Sequence, residues 1–195
     1  MNNKTTQTII HGDCLEVMKG MPDKSFDLVL TDPPYDFTEE QKEELQSQFL
    51  RVAHGVIVFS PPENQWLTAD QYGFWIKPIS TKNTSKRYSR FVEMLFFYGD
   101  LQWHRGRHWS HYTNIFTDLV DGETEHPYEK PTSLLKRLVN NHSKPTDRTL
   151  DPFMGSGTTL VAAKALNRNA TGIEISEEYC KIAQDRLDAM PTPMF

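Results

Sequence analysis

The sequence predicts an α/β fold built on a seven-stranded mixed sheet with helices on both faces. Three observations carry that expectation. Short apolar runs recur near positions 8, 26, 55, 74, 92, 149 and 170, as strands buried in a sheet do. Helical stretches marked by caps or acidic first turns separate several of them. Two runs end in paired prolines, Pro33-Pro34 and Pro61-Pro62, and a third leads into the turn Gly155-Ser156-Gly157. Tips that stop this abruptly mark the carboxyl edge of a wound sheet, where such folds bind ligands.

Taken in order, Thr8-Ile9-Ile10 reads as the first strand, followed by His11-Gly12-Asp13-Cys14 and a helix from about Leu15 to Lys19. Gly20 and Pro22 punctuate the chain before the apolar run 26–30. A helix then runs from Glu39 to about Val52, and its charged run is read as a solvated face. Residues 55–59, 74–77 and 92–98 supply three more strands. Residues 78–90 and 99–125 show no apolar period, and stretches of that length inside a compact domain are usually functional loops. Pro131 opens a helix to about Asn140, at a position proline favours. Thr149-Leu150 begins a closing unit of strand, glycine turn, helix through Leu166 and strand 170–175. Ser176 caps the last helix, where Tyr179, Ile182, Ala183, Arg186/Leu187 and Met190 share one face.

A chain of 195 residues suits one domain spanning 1–195. No apolar run reaches membrane-spanning length, and Met1-Asn2-Asn3-Lys4 lacks a signal-peptide core. Cys14 and Cys180 are the only cysteines, which excludes a disulfide scaffold and a cysteine zinc site. A cytoplasmic protein with no membrane partner is expected. Net charge is −5, yet residues 77–111 hold seven cations (Lys77, Lys82, Lys86, Arg87, Arg90, Arg105 and Arg107) against Glu93 and Asp100 alone. One basic segment on an acidic body suits local phosphate contact, and these seven residues are the expected DNA contacts.

The stretch Thr31-Asp32-Pro33-Pro34-Tyr35 carries the chemistry. Both prolines fix φ and lack an N–H, so the strand tip is rigid and Asp32 and Tyr35 are held at the sheet edge. The amino group of a flat base is a poor nucleophile because its lone pair is delocalised. Asp32 and the Pro33 carbonyl can each accept one of its N–H groups, drawing the nitrogen toward tetrahedral geometry. Tyr35 can stack on a base withdrawn from its helix. The competing reading is an Asp-Pro-Pro turn that merely closes a strand.

The second motif is Asp151-Pro152-Phe153-Met154-Gly155-Ser156-Gly157-Thr158-Thr159, with Glu174 at the end of the next strand. Glycines between strand and helix let a ligand approach the backbone, and the acidic side chain suits ribose hydroxyls. A dinucleotide site is one reading. However, Leu160 replaces the third glycine, and Asp151 would repel a pyrophosphate. S-adenosylmethionine, with its ribose, ammonium and sulfonium, fits Asp151 and Glu174 together. A turn kept only for tight packing is the plain alternative.

These motifs, with Gly172-Ile173-Glu174, resemble those of the amino-methylating DNA methyltransferases. The catalytic motif comes first and the cofactor motif last, similar to the circularly permuted β class of restriction-modification and phage enzymes. His126-Pro127-Tyr128-Glu129-Lys130-Pro131 resembles a family element near the methionine end of the cofactor, and Gly12-Asp13-Cys14 the stretch that holds its adenine. Trp75-x-Lys77 also recurs in the family.

The resemblance implies a Rossmann-like methyltransferase fold and S-adenosylmethionine-dependent methylation of an exocyclic amine in DNA, adenine N6 before cytosine N4. It implies Asp32, Pro33, Pro34 and Tyr35 as catalytic residues. The cofactor would meet Asp13, Cys14, Asp32, Lys130, Asp151, Phe153, Gly155, Ser156, Gly157, Thr158, Thr159, Glu174 and Ile175. The chain divides into a catalytic half (about 1–76), basic target-recognition loops (about 77–125) and a cofactor-binding half (about 126–195). DNA is the expected partner, and a homodimer and a restriction endonuclease in the same system are compatible with it. A noncatalytic DNA-binding relative, or methylation of RNA or a protein side chain, are the competing functions. His104, His108 and His111 have metal-compatible spacing, but methyl transfer needs no metal and none is expected. Of Trp103 and Trp109, at least one is expected in the core, and Cys14 is read as a packing residue rather than a nucleophile.

Overall fold

Alternation of buried side chains sorts the strands between two helical layers. The computed structural model describes residues 5–77, 92–103, 113–119 and 130–191. Its strands are β1 (Gln7–His11), β2 (Phe26–Thr31), β3 (Ala53–Ser60), β4 (Gln71–Ile76), β5 (Val92–Gly99), β6 (Ile115–Phe116), β7 (Arg148–Asp151) and β8 (Asn169–Glu174). The helices are α1 (Cys14–Lys19), α2 (Glu39–Val52), α3 (Thr132–His142), α4 (Thr158–Ala165) and α5 (Glu177–Ala189). Val29, Val56, Val58 and Phe96 pack with Met18, Leu45 and Phe49 from α1 and α2. The intervening Leu28, Leu30, Ile57, Phe59 and Leu95 pack on the other face with Leu134, Leu138 and Ala162 from α3 and α4. Strands covered on both faces need unbroken apolar runs, and Leu28-Val29-Leu30 is one.

The strands form one sheet in the order β1-β8-β7-β2-β3-β5-β4-β6. The first five run parallel. β5 is antiparallel to both β3 and β4, while β6 lies parallel to β4. Among the described residues the sheet thus has eight strands rather than the expected seven. The extra one, β6, has two residues and pairs Phe116 with Trp75. Two residues carry no readable period, so it was invisible to a pattern search. Trp75 is itself buried and donates its indole N–H to the Asp118 carbonyl at 2.9 Å. Among the described residues no helix is long and apolar enough to cross a membrane.

Local chemistry places the helix starts. Thr38 and Gln41 close a reciprocal capping box on α2, and Ser176 accepts from the Tyr179 N–H to start α5. Gly157 precedes α4 with φ at +81°, and a Cβ there would sit 2.7 Å from Ala183 Cβ of α5. Gly155 also has positive φ (+50°) but faces open space. Gly157→Ala should therefore lose about 2–4 kcal/mol of stability, from the left-handed backbone and the overpacked helix contact together. Gly155→Ala carries the backbone cost alone, about 1–2 kcal/mol. Urea unfolding of the two variants checks the order, and equal losses would remove the packing role.

Candidate active site

The carboxyl edge presents its polar groups in sheet order. Asp13 follows β1, Glu174 ends β8, Asp151 ends β7 and Asp32 follows β2. Ser60 then ends β3, Glu93 lies near the start of antiparallel β5, and Lys77 follows β4. The chain winds away from the β7/β2 boundary in both directions, to β3 on one side and β8 on the other. Such a switch point opens a crevice between strand tips. Asp151 and Asp32 flank it, and the Thr31 hydroxyl donates across it to Asp151 Oδ1 at 2.9 Å.

Two cavities share this edge. The larger, about 580 Å³, is lined by Asp13, Cys14, Phe37, Ile175 and the whole tetrapeptide Asp32-Pro33-Pro34-Tyr35. The smaller, about 200 Å³, is lined by Lys130, Asp151, Gly155, Ser156, Thr158 and Thr159. Asp32, Phe153 and Glu174 line both and form their common wall. Every residue expected at the catalytic and cofactor sites therefore meets a cavity except Gly157, which packs against α5 instead.

Backbone donors hold Glu174. The Gly155 N–H donates to its Oε2 at 3.0 Å and the Ser176 N–H to its Oε1 at 2.8 Å. Each oxygen keeps acceptor capacity toward the cavities, because a carboxylate offers about four lone-pair sites. Asp13 Oδ1 caps α1 by accepting from the Glu16 N–H at 3.1 Å. Burial, with the Asp13 charge beside it, pushes the Cys14 thiol up to about 12, so Cys14 is a packing residue and no thiolate nucleophile. Asp151 is buried and accepts from Thr31, Thr159 and the Phe153 N–H. Burial outweighs those donors and raises its carboxyl to about 6.

Asp32 has a different environment. The Tyr35 hydroxyl donates to its Oδ1 at 3.1 Å, and Lys130 pairs with its Oδ2. Lys130 also reaches Glu93 Oε2 at 3.0 Å, and Glu93 in turn pairs with Lys77. Burial pushes the Asp32 carboxyl up, against the pull of the Lys130 ammonium. Burial disfavours the charged Lys130, but Asp32 and Glu93 more than offset it, so the ammonium is held above its ordinary range. The Tyr35 phenol is raised by burial and then by Asp32, which keeps it a donor.

Three supporting residues escaped the sequence reading. Lys42 belongs to the charged run read as a solvated face, yet it is buried. Its ammonium donates to Glu39 Oε1 (2.7 Å), Asn64 Oδ1 (2.8 Å) and the Gln65 carbonyl (3.0 Å). The Asn64 amide donates to the Tyr35 carbonyl, so Lys42 anchors the loop that holds the Asp32-Pro33-Pro34-Tyr35 turn. Arg186, read as part of a helix face, donates to the Ser156 carbonyl (3.0 Å), Ser156 Oγ (2.8 Å) and Thr158 Oγ1 (3.1 Å), bracing the glycine turn. Glu93 was read as one residue of an apolar strand and is 5% exposed.

Of the expected DNA contacts, Lys77 is paired internally with Glu93, and its ammonium lies 5.2 Å from the Trp75 ring centre. Lys82, Lys86, Arg87, Arg90, Arg105 and Arg107 lie outside the described residues, as do His104, His108, His111, Trp109 and 126–129. Trp103 stays out of the core: it is 44% exposed and stands edge-on to the His142 ring at 4.7 Å.

The N6/N4 methyltransferase family, described as DNA methylase, matches residues 56–185. The type II methyltransferase M2.DpnII of Streptococcus pneumoniae is 27% identical over 96% of this chain and 91% of that protein. The DNA adenine methyltransferase YhdJ of Escherichia coli K12 is 29% identical over 93% of this chain and 83% of its own length. Among solved structures, the M1.HpyAVI complex with S-adenosylmethionine superposes with a TM-score of 0.75. It is 26% identical and covers 94% of this chain and 100% of that one. The cytosine-N4 methyltransferase PvuII shares the fold with a TM-score of 0.72, at 15% identity over 98% of this chain and 89% of its own.

The buried Asp151 sets a pH-dependent prediction. Its folded carboxyl stands near 6 against an ordinary 3.8, so the folded state keeps a proton that the unfolded chain has lost. The stability this contributes is complete below the unfolded value and is lost as pH rises through about 6. Asp151→Asn cannot ionise, and Thr159 can turn its hydroxyl to accept from the new amide. The variant should gain on the wild type by on the order of 2–3 kcal/mol between about pH 4 and pH 7. Urea titrations across that range measure it, and a constant difference would contradict it.

Proposed function

The chain belongs to the N6/N4 DNA methylase family and is an S-adenosylmethionine-dependent DNA amino-methyltransferase; from that premise we propose that its target is adenine N6, oriented by Asp32. The observation that carries the reading is the Asp32 carboxylate on the wall common to both cavities, fixed by Lys130, Tyr35 and two prolines. YhdJ, named an adenine methyltransferase, and the Asp that opens the tetrapeptide both support adenine.

The cavities suit the cofactor. The larger combines Phe37, Phe153 and Ile175 with the tethered Glu174 carboxylate, which fits an adenine ring and a ribose diol. The smaller supplies Lys130, Asp151, Thr158 and Thr159, a donor and acceptor set for a carboxylate and an ammonium. When bound, S-adenosylmethionine supplies an electrophilic methyl group on a sulfonium.

The protein's own work is to make the amine nucleophilic. Asp32 accepts one amine N–H and the Pro33 carbonyl the other, which weakens conjugation of the nitrogen with the ring. Both acceptors are held before the base arrives, so little reorganisation accompanies attack. Lys130 favours the ionised, accepting form of Asp32 against the burial that raises its carboxyl. Tyr35 presents its ring while its hydroxyl and carbonyl are tied down. Transfer is direct, with no covalent enzyme intermediate.

We propose residues 1–195 as one catalytic domain in a cytoplasmic setting, meeting DNA through the basic segment. The type II methyltransferase M2.DpnII among the relatives supports its placement beside a restriction endonuclease, and a homodimer is compatible with the reading.

Asp32→Ala should abolish transfer of labelled methyl groups to DNA while cofactor affinity stays within a few-fold; Lys130 keeps Glu93 as partner, so no buried charge is orphaned. Glu174→Ala should weaken cofactor binding by about tenfold or more, through lost charge-assisted hydrogen bonds. Nucleoside mass spectrometry should find N6-methyladenine; N4-methylcytosine in its place would overturn the adenine assignment. Replacing Lys86, Arg87 and Arg90 with Ala should flatten the salt slope of DNA binding by up to about 2–3. An unaltered slope with unaltered target preference would leave those charges a role in solubility alone.

A further inference from the structure

We propose that Glu93 is a positioning residue for methyl transfer, dividing the Lys130 ammonium between itself and Asp32, with Lys77 setting that division from the far side. The proposal rests on Asp32 as the acceptor of the target amine.

Glu93 stands on β5 in an otherwise apolar run, Val92 before it and Met94-Leu95-Phe96 after it. A carboxylate buried there is costly unless paired. It has two cations, Lys130 at 3.0 Å and Lys77, and it lines neither cavity. It therefore acts through Lys130. That ammonium is buried above the Phe59 ring, 5.3 Å from its centre, and its ion pairs are with Asp32 and Glu93.

The four charges form one line along the sheet edge, Lys77–Glu93–Lys130–Asp32, with Tyr35 at its end. Lys130 already pairs with Asp32 Oδ2, and neutralising Glu93 leaves that pair unopposed, so the ammonium holds the oxygen more tightly against the incoming amine. Removing Lys77 has the opposite effect, because Glu93 then draws Lys130 away from Asp32. Lys77 thus belongs with the positioning residues rather than with the DNA footprint. Charged or titratable groups near Asp32 are Tyr35 on its own turn, Asp151 on β7, Lys130 before α3 and Glu93 on β5. Glu63 lies near Tyr35.

Single-turnover rates across pH, at saturating cofactor and DNA, test this. Glu93→Gln should lower the rate by about tenfold to a hundredfold and move its acid limb to lower pH, since a negative neighbour is gone. Cofactor affinity should stay within a few-fold. Lys77→Met, at a partly exposed strand end that tolerates the change, should move the acid limb to higher pH and leave the DNA salt slope intact. A slope flattened by about 0.9 with the limb unmoved would return Lys77 to the DNA footprint and overturn the proposal. If Glu93→Gln fails to fold, Lys77→Met decides alone. Limbs unmoved in both variants, with Asp32→Ala inactive, would sink only the role of Glu93. An Asp32→Ala enzyme that still methylates would sink the underlying assignment as well.

Discussion

Glu174, Asp151, Asp32 and Glu93 crowd the carboxyl edge of this sheet, and each must be compensated where it stands, because each is wholly or partly withdrawn from water. Glu174 is met by two backbone N–H groups. Asp151 is met by hydroxyls and one N–H, and takes up a proton more readily than an ordinary Asp. Asp32 and Glu93 share one buried ammonium. Breaking such an arrangement from one side strands a charge, so these groups hold one another in place. The same economy of movement suits catalysis, where preoriented dipoles stabilise developing charge better than mobile ones.

The scaffold behind these charges is stiff for identifiable reasons. Pro33 and Pro34 limit the chain after β2, while Lys42 and Asn64 secure the Tyr35 backbone from α2 and the neighbouring loop. Arg186 performs the same service for the glycine turn from α5. Residues far apart in the sequence meet because β7 pairs with β2, bringing Asp151 beside Asp32. A permuted motif order thus produces an uninterrupted site.

Most of the architecture was legible in the sequence because its signals are local. Apolar runs marked the long strands, the acidic turn at Glu39 and the Ser176 cap marked helix starts, and the paired prolines and glycines marked the edge. What stayed hidden depends on distant partners. Lys42 sits among four glutamates and looks solvated until Asn64 and Gln65 arrive from twenty residues away. Glu93 interrupts a strand by one residue, and only the assembled sheet puts Lys77 and Lys130 beside it. Arg186 shares a helical face with apolar neighbours, and nothing in that periodicity points to Ser156. The two-residue β6 forms because β4 offers it an edge.

The topology also orders the birth of the protein. The strand nearest the start of the chain, β1, pairs with β8, the final strand of the sheet, in register from Gln7↔Ala170 to His11↔Glu174. A ribosome makes some 160 residues between the two, so β1 has no ladder to join until β8 has been made. Long-range pairing of this kind slows folding and leaves an unpaired segment exposed in the meantime. Glu174, paired opposite His11, reaches its final setting only at that closure. The edge around Glu174 therefore matures late, and a growing chain cannot complete it before β8 has left the ribosome.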